Sequence, residues 1–99
     1  GVIYFLTGDD RFEAVVAGEE VDNPKPAPDG PLLAAKLLGV APENCVYVGD
    51  SPADLNAARA AQMKPVVAGW HTYFEAQLRT MNPEHWANTP ADVIPFIAQ

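Results

Sequence analysis

Cys45–Asp54 has the sequence CVYVGDSPAD, an apolar run that ends at a turn carrying two carboxylates. The run Cys45–Val48 is continuous, as is typical of a strand buried in a parallel sheet. Ser51 is a favourable helix N-cap and Pro52 a favourable first helical residue, so we expect the strand to pass directly into a helix. Ligands of open α/β sheets bind at the carboxyl ends of the strands, which predicts a functional site at this turn.

Two acidic residues, Asp50 and Asp54, lie four positions apart across the turn and can converge on one hard cation. Mg²⁺ is typically held by one or two carboxylates together with water and substrate phosphate oxygens. Upstream, the segment KPAPD (residues 25–29) places Lys25 in a rigid, proline-bracketed loop. The two segments together indicate phosphoryl chemistry. Ser51 and Asp54 also match a capping box, a pattern that needs no metal, so Asp54 alone does not establish a metal site.

Strand-like and helix-like segments alternate along the chain. Strands are predicted at 12–17, 45–48 and 65–68, and helices at 29–38, 52–62 and 72–81. The first seven residues, GVIYFLT, are apolar but too few for periodicity to distinguish a strand from the end of a helix. A short strand near Trp86 and a capped start at Thr89-Pro90 follow, and Pro95 is expected to limit the last helix. The alternation predicts an α/β fold with right-handed crossovers, formed by one domain over residues 1–99.

Composition excludes several classes of protein. The 99 residues are 48% hydrophobic and 19% charged, which suits one small globular domain. A net charge of −7 without a basic patch excludes nucleic acid as a partner, because phosphate neutralisation needs clustered Lys and Arg. The sequence contains no run of about 18 apolar residues, so no membrane span is predicted. No signal peptide is visible and the single Cys45 cannot form an internal disulfide, so we expect a cytoplasmic location.

Four segments carry a resemblance to a known family: FEAVVAG (12–18), KPAPD (25–29), NCVYVGDSPAD (44–54) and LNAARAAQMKPVV (55–67). Their order and spacing resemble the C-terminal part of the haloacid dehalogenase-like (HAD) phosphatases, nearest to the phosphoglycolate phosphatase and pyrophosphatase branch. The resemblance implies a Rossmann-like parallel sheet with flanking helices. It also implies a Mg²⁺-dependent hydrolase that acts on a small phosphorylated metabolite through an aspartyl-phosphate.

The resemblance also implies a role for each candidate residue. Lys25 would hold the nucleophile and the transferring phosphoryl oxygens, offsetting negative charge as it develops. Asp50 would contact Mg²⁺ directly or through water, and Asp54 would complete or orient that shell. Gly49 and Ser51 would add backbone or hydroxyl contacts to the phosphate or metal.

Several parts of the family pattern have no counterpart in this sequence. The Asp-x-Asp that supplies the nucleophile is absent, as are the Ser or Thr of the second motif and the cap that selects substrate. Asp9 and Asp10 are adjacent, so they would point to opposite sides of an extended backbone. Gln62 stands where the family usually has Gly, which should change only how the helix ends. We therefore expect an incomplete HAD-type core without its first and second strands, and no activity from the 99 residues alone.

The expected gap lies in the middle of the sheet, between the strand at Val15 and the strand at Val46. New strand pairing, a homo-oligomer, a swapped assembly or an N-terminal part missing from this sequence would close it, and a monomer should be marginal. The alternative function is a non-catalytic metal- or phosphate-binding module that needs a partner chain. A phospho-receiver domain is disfavoured, because its lysine should follow the acids in sequence.

Overall fold

A computed structural model describes residues 1–6, 12–16 and 25–97. Within these residues the strands are β1 (Val2–Leu6), β2 (Phe12–Val16), β3 (Cys45–Gly49), β4 (Lys64–Ala68) and β5 (Trp86–Ala87). The α-helices are α1 (Asp29–Leu38), α2 (Pro52–Ala60), α3 (Glu75–Thr80) and α4 (Ile94–Ile97). Short 3₁₀ turns lie at Pro42–Asn44 and Pro90–Val93. The Asp9-Asp10 pair lies outside the described residues.

The described strands form one mixed sheet in the order β2-β1-β3-β4-β5. Strands β3, β4 and β5 are parallel neighbours, as the alternation of elements predicts. Strand β1 runs antiparallel to both of its neighbours, with Ile3 opposite Val15 on one side and Tyr47 on the other. The α/β fold is confirmed, and the sheet differs from a purely parallel one through β1.

Periodicity could not distinguish a strand from a helix end in the apolar N-terminal segment. The structure shows that it is a strand inside the sheet. It lies between the strand containing Val15 and the strand containing Val46, where the resemblance places two absent strands. Of the ways to close this gap, the structure shows new strand pairing within the chain. Ile3 and Phe5 are buried, so β1 supplies apolar core as well as backbone hydrogen bonds.

Side chains alternate between the two faces of β3 and build a core on each. Cys45 and Tyr47 pack with β1, α1 and α2 on one face. Val46 and Val48 pack on the other, among residues of β4, β5 and the C-terminal turn. The small side chains Ala57 and Ala58 of α2 are fully buried, which lets that helix lie close against the sheet.

Two helices end through the same left-handed backbone motif. Helix α1 covers its predicted range, although Pro28 and not the expected Asp29 is its N-cap, and it ends at Gly39, with φ 71°. Helix α2 ends at Ala60, slightly earlier than predicted, and Gln62 takes the equivalent position with φ 62°. In both cases the next N–H donates to a carbonyl one turn back, Val40 to Ala35 and Met63 to Ala58, each at 3.0 Å. Gln62 thus occupies a conformation that favours glycine.

Helix α3 is shorter than the predicted 72–81 and begins at Glu75. The physical reason is Thr72, whose hydroxyl accepts the N–H of Phe74 at 3.0 Å and donates to the carbonyl of Asp50 at 2.6 Å. These bonds hold the preceding residues in a turn.

The C-terminal segment follows the predicted pattern. Strand β5 lies at Trp86, and Thr89 with Asp92 forms a capping box before the last turns. Helix α4, which contains Pro95, has only four residues. Among the described residues, no helix combines the length and hydropathy needed to cross a bilayer.

Replacing Gln62 by glycine should stabilise the fold. A residue with a Cβ pays for a left-handed conformation, so Gln62→Gly should raise the free energy of unfolding by about 0.5–1 kcal/mol in urea denaturation at pH 7. Gly39→Ala is the matched control, because nothing lies within 4 Å of an added Cβ there and only the φ of 71° opposes it. That variant should lose about 1 kcal/mol. A Gln62→Gly variant that is no more stable than wild type would contradict the left-handed backbone conformation at Gln62.

Candidate active site

The carboxylate of Asp54 is the most heavily hydrogen-bonded side chain at the carboxyl end of β3. Its side chain is only 3% exposed. The Oδ1 atom accepts from Lys25 Nζ at 2.7 Å and from the Tyr47 hydroxyl at 3.0 Å. The Oδ2 atom accepts from the N–H groups of Asp50 and Ser51, both at 3.2 Å, and from the Ser51 hydroxyl at 2.8 Å. Both oxygens are therefore fully engaged by protein donors.

Local sequence explains how Asp54 reaches this position. Ser51 has the extended backbone of an N-cap, and its hydroxyl accepts the N–H of Asp54 at 3.2 Å, which completes the capping box. Pro52 follows as the first helical residue. At Gly49 an added Cβ would lie 2.3 Å from the Cβ of Asp54. Gly49 therefore provides the space through which the Asp54 side chain folds back over the strand end.

Lys25 joins the site from the loop that precedes α1. Its Nζ lies 2.7 Å from Asp54 Oδ1, across 29 residues of sequence, and its side chain is 41% exposed. Among the described residues, Asp54 is the one acceptor that this ammonium contacts. A lysine ammonium carries three donors, so the exposed side can also meet an anionic ligand. The structure thus brings together the lysine and one of the two acids that the sequence singles out.

Asp50 is held differently from Asp54, because its backbone is bound and its carboxylate is not. Its N–H donates to Asp54 Oδ2 at 3.2 Å and its carbonyl accepts from the Thr72 hydroxyl at 2.6 Å. Its carboxylate accepts no hydrogen bond from the described part of the chain. Within the described residues, both carboxylate oxygens of Asp54 are therefore hydrogen-bonded, whereas the carboxylate of Asp50 has no hydrogen-bond partner.

This donor set can be compared with what Mg²⁺ requires. Oxygen ligands suit the ion, and one or two carboxylates commonly suffice when water and substrate phosphate complete the shell. The carboxylate of Asp50, which has no hydrogen-bond partner within the described ranges, fits that requirement, while the oxygens of Asp54 are already occupied. Over residues 1–6, 12–16 and 25–97, no group of three or more His, Cys, Asp or Glu side chains could hold a metal ion. The residues present fit an ion held by Asp50, with Asp54 orienting the site.

Tyr47 is a site residue that sequence reasoning missed. Its side chain is almost fully buried, and its hydroxyl donates to the same Asp54 oxygen as Lys25. Burial raises the pKa of Tyr47 far above its usual range, and the negative charge of Asp54 raises it further. The phenol therefore stays neutral and acts as a permanent donor. A tyrosine inside an apolar strand is a usable signal, because a buried hydroxyl needs a partner.

The N-terminal end of strand β1 also lies at this site. Since it runs antiparallel to β3, its first residues lie at the carboxyl end of β3, and the nitrogen of Gly1 is 3.8 Å from Asp54 Oδ1. The resemblance places a nucleophilic carboxylate on a strand in this part of the sheet. Strand β1 itself has the sequence VIYFL and carries no carboxylate.

The electrostatics of Asp54 follow from its donors. Burial alone raises the pKa of a carboxyl group, but the hydrogen bonds from Lys25 and Ser51 outweigh it and lower the pKa of Asp54 to about 2. The carboxylate is therefore ionised at neutral pH, which keeps it an acceptor for all of its partners.

Comparison with known proteins identifies relatives of this chain. A family model described as haloacid dehalogenase-like hydrolase matches residues 2–68. The phosphoglycolate phosphatase of Escherichia coli (strain K12) is 48% identical over 50 residues, which are 50% of this chain and 20% of that protein. The phosphoglycolate phosphatase of Xylella fastidiosa (strain 9a5c) is 45% identical over 60 residues, 61% of this chain and 26% of that protein. The chain spans only 20% and 26% of the length of these two curated relatives.

A solved structure supports the same architecture. The crystal structure of an HAD hydrolase of family IA, variant 3, from Entamoeba histolytica HM-1:IMSS superimposes with a TM-score of 0.62 at 22% sequence identity. The superposition covers 83% of this chain and 39% of the other. At this identity the likeness establishes the fold. Together with the family match over residues 2–68, which include Lys25, Asp50 and Asp54, it confirms the resemblance seen in the sequence.

Acid should destabilise the fold through Asp54. Because the pKa is about 2 when folded and about 3.9 when unfolded, its stabilisation is complete above pH 4 and is lost as the pH falls through 2. The contribution is about 2 kcal/mol by linkage. Urea denaturation of wild type and Asp54→Asn between pH 7 and pH 2.5 measures it. The variant should be less stable at pH 7 and lose less stability in acid, and parallel pH profiles would contradict the argument.

Removing the ammonium of Lys25 should also cost stability. Lys25→Met leaves the buried carboxylate of Asp54 without its charged donor, so the free energy of unfolding should fall by about 1–3 kcal/mol at pH 7. Lys36→Met, on the exposed side of α1, is the matched control and should stay within about 0.5 kcal/mol of wild type. Equal changes in the free energy of unfolding for the two substitutions would show that the Lys25–Asp54 bond does not specifically stabilise the fold.

Proposed function

The chain belongs to the haloacid dehalogenase-like hydrolase family, and on this premise we propose that it carries the lysine and metal-binding part of a phosphatase active site. The proposed substrate is a small phosphorylated metabolite, in keeping with the phosphoglycolate phosphatases to which the chain is similar. The proposed reaction is hydrolysis of a phosphate monoester in the presence of Mg²⁺. The observation that carries the proposal is the pairing of Lys25 with Asp54 beside the free carboxylate of Asp50.

Each residue has a distinct task in this proposal. Asp54 fixes the ammonium of Lys25 at the end of β3, where it can offset negative charge on the phosphoryl oxygens. Tyr47 and Ser51 keep Asp54 in place, so the lysine is positioned before substrate arrives. Asp50 would hold Mg²⁺, which when bound supplies Lewis-acid stabilisation of phosphate charge.

The covalent step needs a carboxylate that these residues do not provide. In the proposed reaction one aspartate oxygen attacks phosphorus and the bond from phosphorus to the ester oxygen breaks. The second aspartate of the Asp-x-Asp, acting as general acid, gives its proton to that ester oxygen, and the alcohol leaves. Water then hydrolyses the aspartyl-phosphate, which releases inorganic phosphate and restores the carboxylate. No Asp-x-Asp occurs in the 99 residues. We therefore expect the described residues to bind and orient substrate without turning it over.

A second candidate function is a metal- or phosphate-binding module that needs a partner chain. Strand β1 favours it, because Gly1 directly before this strand lies beside Asp54 and the strand itself carries no carboxylate. Both candidates bind Mg²⁺, phosphate or both, so binding and turnover must be measured separately.

Binding is tested by isothermal titration calorimetry, in which the 99-residue chain is titrated first with Mg²⁺ and then with inorganic phosphate. Asp50→Asn should weaken Mg²⁺ binding at least about 10-fold, because the free carboxylate is lost. Lys25→Met should retain Mg²⁺ binding and weaken phosphate binding. Glu43→Gln, in the 3₁₀ turn at the opposite end of β3, is the matched carboxylate control and should behave as wild type. Mg²⁺ binding that is unaffected by Asp50→Asn would contradict the proposal.

Turnover separates the two candidates. Hydrolysis of p-nitrophenyl phosphate should be absent for the 99-residue chain with or without Mg²⁺. A chimera in which residues 25–68 of this chain replace the corresponding segment of the E. coli phosphoglycolate phosphatase combines Lys25 and Asp50 with the rest of that enzyme. The phosphatase proposal predicts an active chimera that Lys25→Met and Asp50→Asn inactivate. A folded chimera without activity would instead favour the binding module.

A further inference from the structure

The loop between β4 and α3 is fastened to the strand end that carries Asp50. Thr72, in this loop, donates its hydroxyl proton to the carbonyl of Asp50 at 2.6 Å. The hydroxyl oxygen of Thr72 also accepts the N–H of Phe74 at 3.0 Å. The bond to Phe74 is a local turn of a kind that threonine often forms. The bond to Asp50 spans 22 residues and joins two separate elements, so a local turn does not account for it.

Asp50 is held from both sides as a result. Its N–H is bound by Asp54 Oδ2 on the α2 side, and its carbonyl is bound by Thr72 on the α3 side. Both polar groups of its backbone are fixed while its carboxylate is left without a partner among the described residues. Such an arrangement suits a ligand whose position must be set before an ion binds, since partners behind a ligand control its orientation.

We propose that Thr72 is a positioning residue for Asp50: its hydroxyl sets the backbone from which the free carboxylate reaches the cation. The inference rests on the proposed function, in which Asp50 holds Mg²⁺. Thr72 itself touches neither ion nor substrate in this proposal. Its effect passes through the Asp50 carbonyl.

Two variants of Thr72 isolate its hydroxyl from the rest of the side chain, and two further variants serve as controls. Thr72→Val keeps the shape and removes both hydrogen bonds, and Thr72→Ser keeps the hydroxyl. Thr80→Val is the matched control, because the Thr80 hydroxyl also donates to a backbone carbonyl at 2.6 Å, that of Gln77, within α3 and away from Asp50. Asp50→Asn tests whether the ion binds through Asp50 at all.

Two readouts on ¹⁵N-labelled chain are used, and neither depends on activity. The first is hydrogen exchange of the Asp50 and Ser51 amides without Mg²⁺, since both amides bind Asp54 Oδ2. Thr72→Val should accelerate it about 5-fold by loosening the strand end. The second is Mg²⁺ affinity from amide shifts, which Thr72→Val should weaken about 10-fold. Thr72→Ser should restore both, and Thr80→Val should change neither.

The outcomes separate this inference from the function on which it rests. If Asp50→Asn weakens Mg²⁺ binding and Thr72→Val does not, the positioning role is overturned and the proposed function stands. Faster amide exchange with unchanged Mg²⁺ affinity also overturns it, because Thr72 would then be only structural. If wild type binds no Mg²⁺, or Asp50→Asn binds it as well as wild type, both proposals fail together.

Discussion

The buried carboxylate of Asp54 joins the parts of this site that are distant in sequence. A charge in that position is costly unless every lone pair is matched, and the structure matches it with donors from the Lys25 loop, β3 and the start of α2. These donors fix where the lysine, the strand end and the helix start meet. The remaining features of the site, above all the unengaged carboxylate of Asp50, depend on Asp54 being held.

The two acids of the turn therefore divide the work that the sequence pattern assigns to both. Asp54 accepts five hydrogen bonds and orients its neighbours. Asp50 is anchored through its backbone, and its carboxylate accepts no hydrogen bond from the described residues, which leaves it available to the proposed cation. Local spacing alone does not reveal this division, because a capping box and a metal-binding pair have the same residues at the same positions.

Sequence analysis succeeded where local chemistry determines the structure. The end of α1 follows from Gly39, and the β3–α2 turn follows from Ser51 and Pro52. It could not assign β1, because an apolar five-residue strand takes its place and direction from distant partners. It also missed the roles of Tyr47 and Thr72, whose hydrogen bonds at the site depend on how separate elements pack. The family resemblance assigned Lys25 and Asp54 to one site, but the direct contact between them was not predicted.

The most direct test of this division of work is a crystal structure of the chain grown with Mn²⁺, in which anomalous scattering locates the ion. Mn²⁺ accepts the oxygen ligands that suit Mg²⁺. The account predicts an anomalous peak within coordinating distance of the Asp50 carboxylate, with Asp54 still bound to Lys25, Tyr47 and Ser51. A peak on the Asp54 carboxylate with Lys25 displaced would contradict it, as would a fully ordered site with no ion at Asp50.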